Sequence, residues 1–254
     1  MVRLKKERDL RLLRVSGRIL AEMIEELSEM VREGTPLSAL DARARTFIAS
    51  RGATPTFLGY QPAGSDVAYP AAICTSVNDI IVHGLPTAYR LRSGDIVKID
   101  AGVTYQGYIT DAALTVAVLP VAPRVRRLIT ATQEALDRAI AECRPGNHLG
   151  DVGHAVSSTV RRSKFSVLRG LTGHGVGFSL HEDPTVYNFG KRREGMELVP
   201  GLVLAIEPMV GIGSPDIVQY PDNSYGTSDR SFSAHFEHTV VITGEGNEVL
   251  TKLA

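Results

Sequence analysis

Acidic side chains stand beside apolar, strand-like stretches at two places in the first half of this sequence. Asp100 ends the stretch 95–100, and Asp111 comes eleven residues later, near the start of the stretch 109–118. If these stretches pair as a hairpin, the two carboxylates lie on neighbouring strands, where they repel each other unless a cation or a proton lies between them. Aspartates at the ends of a hairpin also form turns, so the pair by itself leaves a purely structural role open.

Two glutamates occupy similar positions in the second half. Glu207 ends the apolar stretch 202–207, and Glu237 precedes the apolar residues 240–242. A solvated loop acid is the ordinary alternative for Glu207. Glu237 is expected to lie against the core, where an unpaired carboxylate is costly, so a metal ion or several hydrogen-bond donors would have to compensate for its burial.

A histidine surrounded by glycines follows in the region 173–177. Gly173, Gly175 and Gly177 flank His174, and glycine permits close approach of the backbone and unusual dihedral angles. The segment lacks the GxGxxG spacing of a phosphate-binding loop, so a metal ligand or a polar catalytic group is favoured over that function. A structural histidine in a tight turn is the alternative. His83, taken alone, would more often be a structural histidine as well.

The four carboxylates and His174 together form a set of oxygen and imidazole donors. Such a set suits a pair of divalent ions bridged by carboxylates. Two ions about 3.5–4 Å apart can lower the pKa of a water molecule, polarise a scissile carbonyl and orient the substrate, which is a known solution for hydrolysis.

The elements that must position these residues are helices and short strands. Apolar residues at helical spacing predict a helix over roughly residues 1–30, and further helices and strands are predicted from periodicity, capping residues and turns. The other predicted helices are 38–49, 124–142 and 149–163, and the predicted strands are 72–77, 95–100, 109–118, 202–206 and 236–243. This order predicts an α+β fold in a single domain spanning 1–254, with an N-terminal helix and no added domain. The carboxylates recur in each half, so two similar halves facing each other would bring all four together.

Composition excludes several classes of protein. In 254 residues, 28 Lys and Arg balance 28 Asp and Glu, and 43% of residues are hydrophobic, which argues against a disordered chain and against a general nucleic-acid binder. No apolar run reaches the roughly 18–20 residues of a transmembrane helix, and the charged N-terminus lacks the apolar centre of a signal peptide. Two cysteines are too few for a disulfide framework, so a cytoplasmic location is expected.

The motifs, taken in order, resemble those of type I methionine aminopeptidases of peptidase family M24, over nearly the whole chain. The motifs are Ser76-Val77-Asn78-Asp79 with His83-Gly84, Ile99-Asp100, Thr110-Asp111, Gly173-His174-Gly175-Val176-Gly177 with His181-Glu182, Ile206-Glu207-Pro208-Met209, and Phe236-Glu237-His238-Thr239. The resemblance implies the pita-bread fold, in which two pseudosymmetric αβ halves enclose a dinuclear metal site. It also implies a metallo-exopeptidase, a hydrolase that removes the initiator methionine from peptides and nascent proteins.

The resemblance assigns roles residue by residue. The implied ligands of two divalent ions, Co, Mn, Fe or Zn, are Asp100, Asp111, His174, Glu207 and Glu237. Asp111 and Glu237 correspond to the bridging carboxylates. A metal-bridging hydroxide would attack the first peptide bond, with Glu207 as the proton shuttle. His83 and His181 correspond to the catalytic histidines that contact the substrate.

An apolar pocket for the methionine side chain is implied at four positions. These are Tyr60, Tyr69, Cys74 and Leu180. Compared with the family, the segment between Gly59 and Cys74 is longer, Leu180 replaces a residue that is commonly Phe, and the chain has no Trp. These departures leave the metal ligands intact and concern the shape of the pocket.

Two alternatives stay open at this stage. Another pita-bread peptidase, similar to prolidase or aminopeptidase P, usually carries an additional N-terminal domain, and the roughly 70 residues before the motif at 76–84 are too few for one. An inactive peptide- or protein-binding relative would be expected to lose ligands.

The expected partner is the N-terminus of a peptide or nascent chain, bound by a monomer with no specific nucleic acid and no membrane. The basic N-terminal helix leaves a transient ribosome contact open. His235 and His238 flank Glu237: alternation places His238 on the opposite face, and it stays open whether His235 lines the site.

Overall fold

The computed structural model describes residues 2–61 and 67–253. Its helices are α1 (Glu7–Glu29), α2 (Leu37–Ser50), α3 (Pro123–Glu142) and α4 (Leu149–Arg162). Its strands are β1 (Thr54–Pro55), β2 (Ile73–Val77), β3 (Ile80–Val82), β4 (Ile96–Tyr105), β5 (Tyr108–Ala117), β6 (Ser166–Val167), β7 (Gly173–Gly175), β8 (Glu182–Val186), β9 (Val203–Ile206), β10 (Met209–Gly211), β11 (Ile217–Gln219), β12 (Tyr225–Thr227), β13 (Ser233–His235), β14 (His238–Ile242) and β15 (Asn247–Val249). The four predicted helices are confirmed, each with bounds that differ by a few residues.

Helix α1 forms because its apolar residues repeat at helical spacing. Leu13, Leu20 and Leu27 are fully buried on one face, while charged residues cover the other. The helix lies against β4 and β5. Gly17 allows the chain near Leu250 to approach closely, because a Cβ atom at Gly17 would lie 2.1 Å from the Leu250 carbonyl oxygen. None of the described helices is both long enough and apolar enough to cross a bilayer.

The first half of the chain builds a four-stranded sheet covered by two helices. Strand β4 is paired with β1, β2 and β5, and all of these pairs are antiparallel. The side chains of α1 and α2 share one apolar cluster with this sheet. The prediction that a strand ends at Asp100 is wrong: β4 continues to Tyr105, because Ala101–Tyr105 pairs with the start of β5 in one long hairpin.

The second half repeats this layering with a five-stranded sheet in the order β15-β14-β9-β7-β8. Helices α3 and α4 pack against it in a second apolar cluster, which contains Leu128, Val156 and Leu204. The two sheets meet where β5 approaches the chain just before β14. There the Glu237 N–H donates to the Ala113 carbonyl at 2.8 Å, and the Asp111 N–H donates to Thr239 Oγ1 at 2.9 Å. The junction therefore brings one acidic residue from each half to the same place.

Candidate metal centre

The first two carboxylates lie on one face of the β4–β5 hairpin. Asp111 is directly opposite Gly102 in the register, and Gly102 lies two residues beyond Asp100 on the same strand. Residues two apart on a strand, and residues directly opposite on paired strands, point to the same face. Asp100 and Asp111 are both buried. The prediction that the hairpin places the two carboxylates on neighbouring strands is confirmed.

Glu237 reaches the same place from the second half of the chain. It is 2% exposed, and among the described atoms its Oε1, like Asp111 Oδ1, has no hydrogen-bond partner. A buried carboxylate oxygen without a donor is costly, and a bound cation removes that cost. The unpartnered oxygens therefore fit a divalent ion, which the acidic donor set would hold.

Glu207 and His174 lie side by side beyond these acids. Glu207 follows the end of β9, and β7 pairs with β9 so that His174 is opposite Ala205. His174 Nδ1 lies 2.9 Å from the Gly175 carbonyl, so it donates there and leaves Nε2 as an acceptor 3.4 Å from Glu207 Oε1. An imidazole held in this way by a backbone carbonyl presents Nε2 to a metal.

The glycines around His174 are required for close packing. A Cβ atom at Gly173 would lie 2.3 Å from the Ala205 carbonyl oxygen, and one at Gly175 would lie 2.3 Å from the Asp183 carbonyl oxygen. The short strand β7 can therefore lie between β8 and β9 only with glycine at both positions. The interpretation of these glycines as sites of close backbone approach is confirmed.

Two groups of donors within the cluster have the spacing of a metal site. One group is Asp111, His174 and Glu237; the other is Glu207, His235 and Glu237. Within each group the donor atoms lie within 4.8 Å of one another, and Glu237 belongs to both groups. Asp100 is outside these two groups, on the same face of the sheet as Asp111.

Burial dominates the electrostatics of the cluster. It raises the pKa of Asp100 to about 7, with a further contribution from the nearby charge of Glu207. It also raises the pKa values of Asp111, Glu207 and Glu237 well above the usual range, and mutual repulsion with neighbouring carboxylates adds to the shift for Asp111 and Glu237. Four buried carboxyl groups that lie together and resist ionisation are what a cation site looks like without its cation, because a bound cation would stabilise their charged forms.

The sequence leaves the place of His235 open, and the structure puts it in the cluster. Its Nε2 lies 3.6 Å from Glu207 Oε2 and 4.0 Å from Glu237 Oε2, and the residue is 1% exposed. The signal that could have found it is alternation, because His235 and Glu237 are two residues apart in an extended segment. His238, which alternation places on the other face, contacts Thr251 Oγ1 at 3.0 Å instead.

The two predicted catalytic histidines lie close to the cluster: His181 packs against His174, and His83 and His181 are near enough for their charges to interact. The ring of His181 is 4.4 Å from the ring of His174 between centroids, and His181 Nδ1 is 2.7 Å from the Tyr60 hydroxyl oxygen. Burial lowers the pKa of His181 to about 4 and lowers that of His83, so both rings are neutral at pH 7. His83 has a φ of 62°, a left-handed conformation that is uncommon for a residue with a Cβ atom.

An apolar cluster adjoins the acidic one. Cys74, Leu180 and Phe57 are its buried members, and partly buried Tyr60, Tyr69 and Ile109 pack against them. Cys74 is opposite Asp100 in the register of β2 and β4, so the cluster begins directly beside the carboxylates. The four pocket residues named from the sequence are together here; Phe57 and Ile109 were not named. Part of the long segment 59–74, residues 62–66, lies outside the described residues.

An ion pair connects the N-terminal segment to the loop that carries Leu180 and His181. Lys5 Nζ lies 2.6 Å from Glu182 Oε2, and the two side chains are 2% and 8% exposed. Glu182 Oε1 accepts hydrogen bonds from the backbone N–H groups of Phe178 and Ser179 at 2.6 and 2.8 Å. This buried ion pair, which joins residues 177 positions apart, has no signal in the sequence.

Comparison with known proteins identifies the family to which this cluster belongs. The model of metallopeptidase family M24 matches residues 11–244. The chain belongs to this family. It is 41% identical over 252 residues to the methionine aminopeptidase of Clostridium perfringens, an alignment that spans 99% of each protein. The crystal structure of methionine aminopeptidase from Thermotoga maritima superposes over 100% of both chains with a TM-score of 0.96 and 38% identity.

A more distant structural neighbour shows how widely the architecture is shared. Prolidase from Pyrococcus furiosus has a TM-score of 0.79 at 21% identity, over 99% of this chain and 66% of the prolidase chain. That likeness concerns the fold alone. Together with the closer neighbours it confirms the predicted α+β pita-bread fold of this metallopeptidase.

Proposed function

We propose that this metallopeptidase removes the N-terminal methionine from peptides and nascent proteins. One observation carries the proposal: four buried carboxylates and His174 converge beside an apolar cluster of side chains. The chain that contains this arrangement is 41% identical, over nearly its whole length, to a protein named methionine aminopeptidase. The acidic cluster supplies the means of hydrolysis, and the apolar cluster supplies selectivity for the first side chain.

Divalent ions would be held by the cluster of carboxylates and imidazole. The proposed ligands are Asp100, Asp111, His174, Glu207 and Glu237, and we propose two ions with Asp111 and Glu237 shared between them. Oxygen donors with imidazole suit Mn, Fe, Co and Zn. When bound, such ions lower the pKa of a water molecule and polarise a carbonyl group.

The remaining polar side chains handle protons and the developing charge. In the tautomer of His181 that accepts the Tyr60 hydroxyl proton at Nδ1, Nε2–H is free to donate to the oxygen of the scissile carbonyl. His83 would hydrogen-bond to the peptide nitrogen and assist the leaving amine. Burial raises the pKa of Glu207, which suits a group that takes up a proton and then releases it to the amine.

The apolar cluster is proposed to hold the methionine side chain. Methionine is unbranched and polarisable, and its sulfur makes favourable contacts with aromatic rings. Phe57, Cys74 and Leu180 would form the floor of this pocket, with Tyr60 and Tyr69 at its margin. Because Cys74 is adjacent to Asp100, a methionine side chain bound there leaves the first peptide bond beside the carboxylates.

The setting of the reaction is part of the proposal. Residues 1–254 would act as one catalytic domain, as a monomer in the cytoplasm, where nascent chains present their N-termini. Two free, buried cysteines accord with a reducing compartment. The exposed basic residues of α1 are the surface on which a transient ribosome contact would form.

The test is a substrate panel with matched controls. We expect release of methionine from Met-Ala-Ser in the presence of Co or Mn, loss of release with a chelator, and no release from N-acetyl-Met-Ala-Ser. A small second residue should be preferred over a large one. Hydrolysis of Ala-Pro with no cleavage of any Met-first peptide would instead favour a prolidase-like enzyme. A protein that binds metal and cleaves neither peptide would be an inactive binding relative.

A further inference from the structure

One fully buried imidazole in the cluster has no hydrogen-bond partner at either nitrogen. His235 is 1% exposed, and neither Nδ1 nor Nε2 finds a partner among the described atoms. Buried polar atoms in folded proteins are almost always satisfied, so an imidazole unsatisfied on both sides calls for a specific explanation. By contrast, Nδ1 of His238 on the next strand forms a hydrogen bond with Thr251 Oγ1.

The ring of His235 faces the carboxylates. Nε2 lies 3.6 Å from Glu207 Oε2 and 4.0 Å from Glu237 Oε2, too far for hydrogen bonds. Metal–ligand bonds of about 2.0–2.2 Å place two donors to one ion roughly 3 to 4.2 Å apart, depending on the angle between them. Both separations fall in that interval.

The backbone of His235 is anchored to the strand that carries Asp111. Thr115 Oγ1 donates to the His235 carbonyl at 2.7 Å and accepts from the His235 N–H at 2.9 Å. Thr115 and Asp111 share a face of β5, since they are four residues apart. The position of the ring is therefore set by the same hairpin that places two of the carboxylates.

Glu207 lies between two imidazoles as a result. His174 Nε2 is 3.4 Å from one of its oxygens, and His235 Nε2 is 3.6 Å from the other. We propose that His235 is a further metal ligand, which donates Nε2 to the ion held by Glu207 and Glu237, so that the centre has two imidazole donors. This inference rests on the proposed function, because it concerns the same metal centre.

A second imidazole changes the preference of the centre for metals. Imidazole suits Zn, Cu, Fe and Ni, whereas a site made of carboxylates and water suits Mg and Mn, and Co binds nitrogen and oxygen donors more tightly than Mn. We therefore expect His235→Gln to weaken Co or Zn binding at least about tenfold, and to weaken Mn binding less.

The decisive experiment counts coordinated imidazoles in the full-length protein loaded with Co(II). Each histidine bound to high-spin Co(II) shows a strongly downfield-shifted ring N–H proton, which ¹⁵N-histidine labelling identifies. We expect two such signals in the unsubstituted protein and one in His235→Gln. His238→Gln is the matched control, because it removes a partly buried histidine from the neighbouring strand and should retain both signals.

The possible results separate this inference from the proposed function. One signal in the unsubstituted protein, or two signals that both persist in His235→Gln, would overturn the role of His235 and leave the metal centre intact. No signal at all would overturn the metal centre of the proposed function as well. The count in the unsubstituted protein does not depend on whether the variant folds.

Discussion

Among the individual residues, the carboxylates that the fold buries without hydrogen-bond donors are the most informative. Glu237 is the clearest case, because it belongs to both donor groups and its Oε1 is unpartnered among the described atoms. The substitution Glu237→Gln keeps the shape of the side chain and removes its charge. We predict that it reduces the bound metal to less than one ion per chain and reduces the rate of methionine release at least about 100-fold. Metal analysis and the Met-Ala-Ser assay measure the two effects.

A surface substitution provides the control for this prediction. Glu248 pairs with Arg14 at the surface and lies outside the acidic cluster. Glu248→Gln should therefore retain metal and activity. Full activity of Glu237→Gln at the same metal concentration would contradict the assignment of Glu237.

The same residues predict how stability depends on pH in the presence of a chelator. Burial raises the pKa of Asp100 to about 7 and those of the other three acids well above their usual range. The folded protein thus keeps protons that the unfolded chain releases above about pH 4, and its free energy of unfolding falls as pH rises. Histidines such as His181 and His235, whose pKa values desolvation lowers to about 4, act in the opposite direction only below about pH 6.5. The buried Lys98, whose pKa is lowered to about 7, also acts in the opposite direction above that pH, but it is one group against the several acids.

We therefore predict a loss of stability between pH 6.5 and 8 in chelator, measured by urea unfolding. Saturating divalent metal should remove most of this dependence, because the ion takes the place of the protons. A free energy of unfolding that increases with pH over this interval in chelator would show that the acids are not held protonated in the folded state.

At the element scale, the N-terminal segment holds the loop that carries His181. Lys5 is the buried cation that pairs with Glu182, and Glu182 in turn accepts two backbone N–H groups of that loop. Removal of one partner of a buried pair leaves an uncompensated charge and costs about 3–5 kcal/mol. We predict that Lys5→Met destabilises the protein by about this amount and lowers kcat for methionine release.

Lys5→Arg should recover part of the lost stability and of the lost kcat, because it restores the charge. Lys6→Met should change neither stability nor kcat, because Lys6 is exposed. Thermal unfolding and steady-state kinetics measure the two effects. Unchanged kcat in a folded Lys5→Met protein would mean that the ion pair stabilises the fold without positioning His181.

Local elements were predictable from the sequence because their signals are local. The spacing of Leu13, Leu20 and Leu27 predicts α1, and the alternation around Asp100 and Asp111 predicts a hairpin. Strand β4 extends beyond the predicted stretch because Gly102, a residue depleted in strands, interrupts the pattern in the sequence, whereas pairing with β5 carries the strand through Gly102 to Tyr105. The pair of Lys5 with Glu182 could not be predicted, because it is created by tertiary packing.

The proposed ligand residues follow from a resemblance of motifs, and periodicity alone would not have brought them together. His235 shows the limit of that approach. Its place in the acidic cluster follows from its alternation with Glu237, but no motif assigned it a role. The close approach of the two sheets, which turns separate motifs into one cluster, is a property of the folded chain.

For the molecule as a whole, the proposed metal centre lies where the two halves meet. Asp111 lies on β5 of the first sheet and Glu237 lies just before β14 of the second, and backbone hydrogen bonds between Ala113 and Glu237 link the two halves there. A ligand that binds only the folded state stabilises it by about 2.7 kcal/mol at a concentration 100 times its Kd. We predict that saturating Co or Mn raises the Tm by about 5–10 °C over the value in chelator, measured by calorimetry.

Glu237→Gln should lose most of this increase in Tm, whereas Glu248→Gln should keep it. A Tm that metal leaves unchanged in the unsubstituted protein would mean that the acidic residues at the junction do not bind the ion in the folded state.

The central claim is that divalent ions at this junction enable the chain to release N-terminal methionine. The most direct measurement is the rate of methionine release from Met-Ala-Ser as Co or Mn is added in steps to protein first treated with a chelator. We predict almost no release at the start, a rise with each addition, and a plateau at no more than two ions per chain. Full activity in excess chelator, or saturation with metal and no release of methionine, would contradict the account.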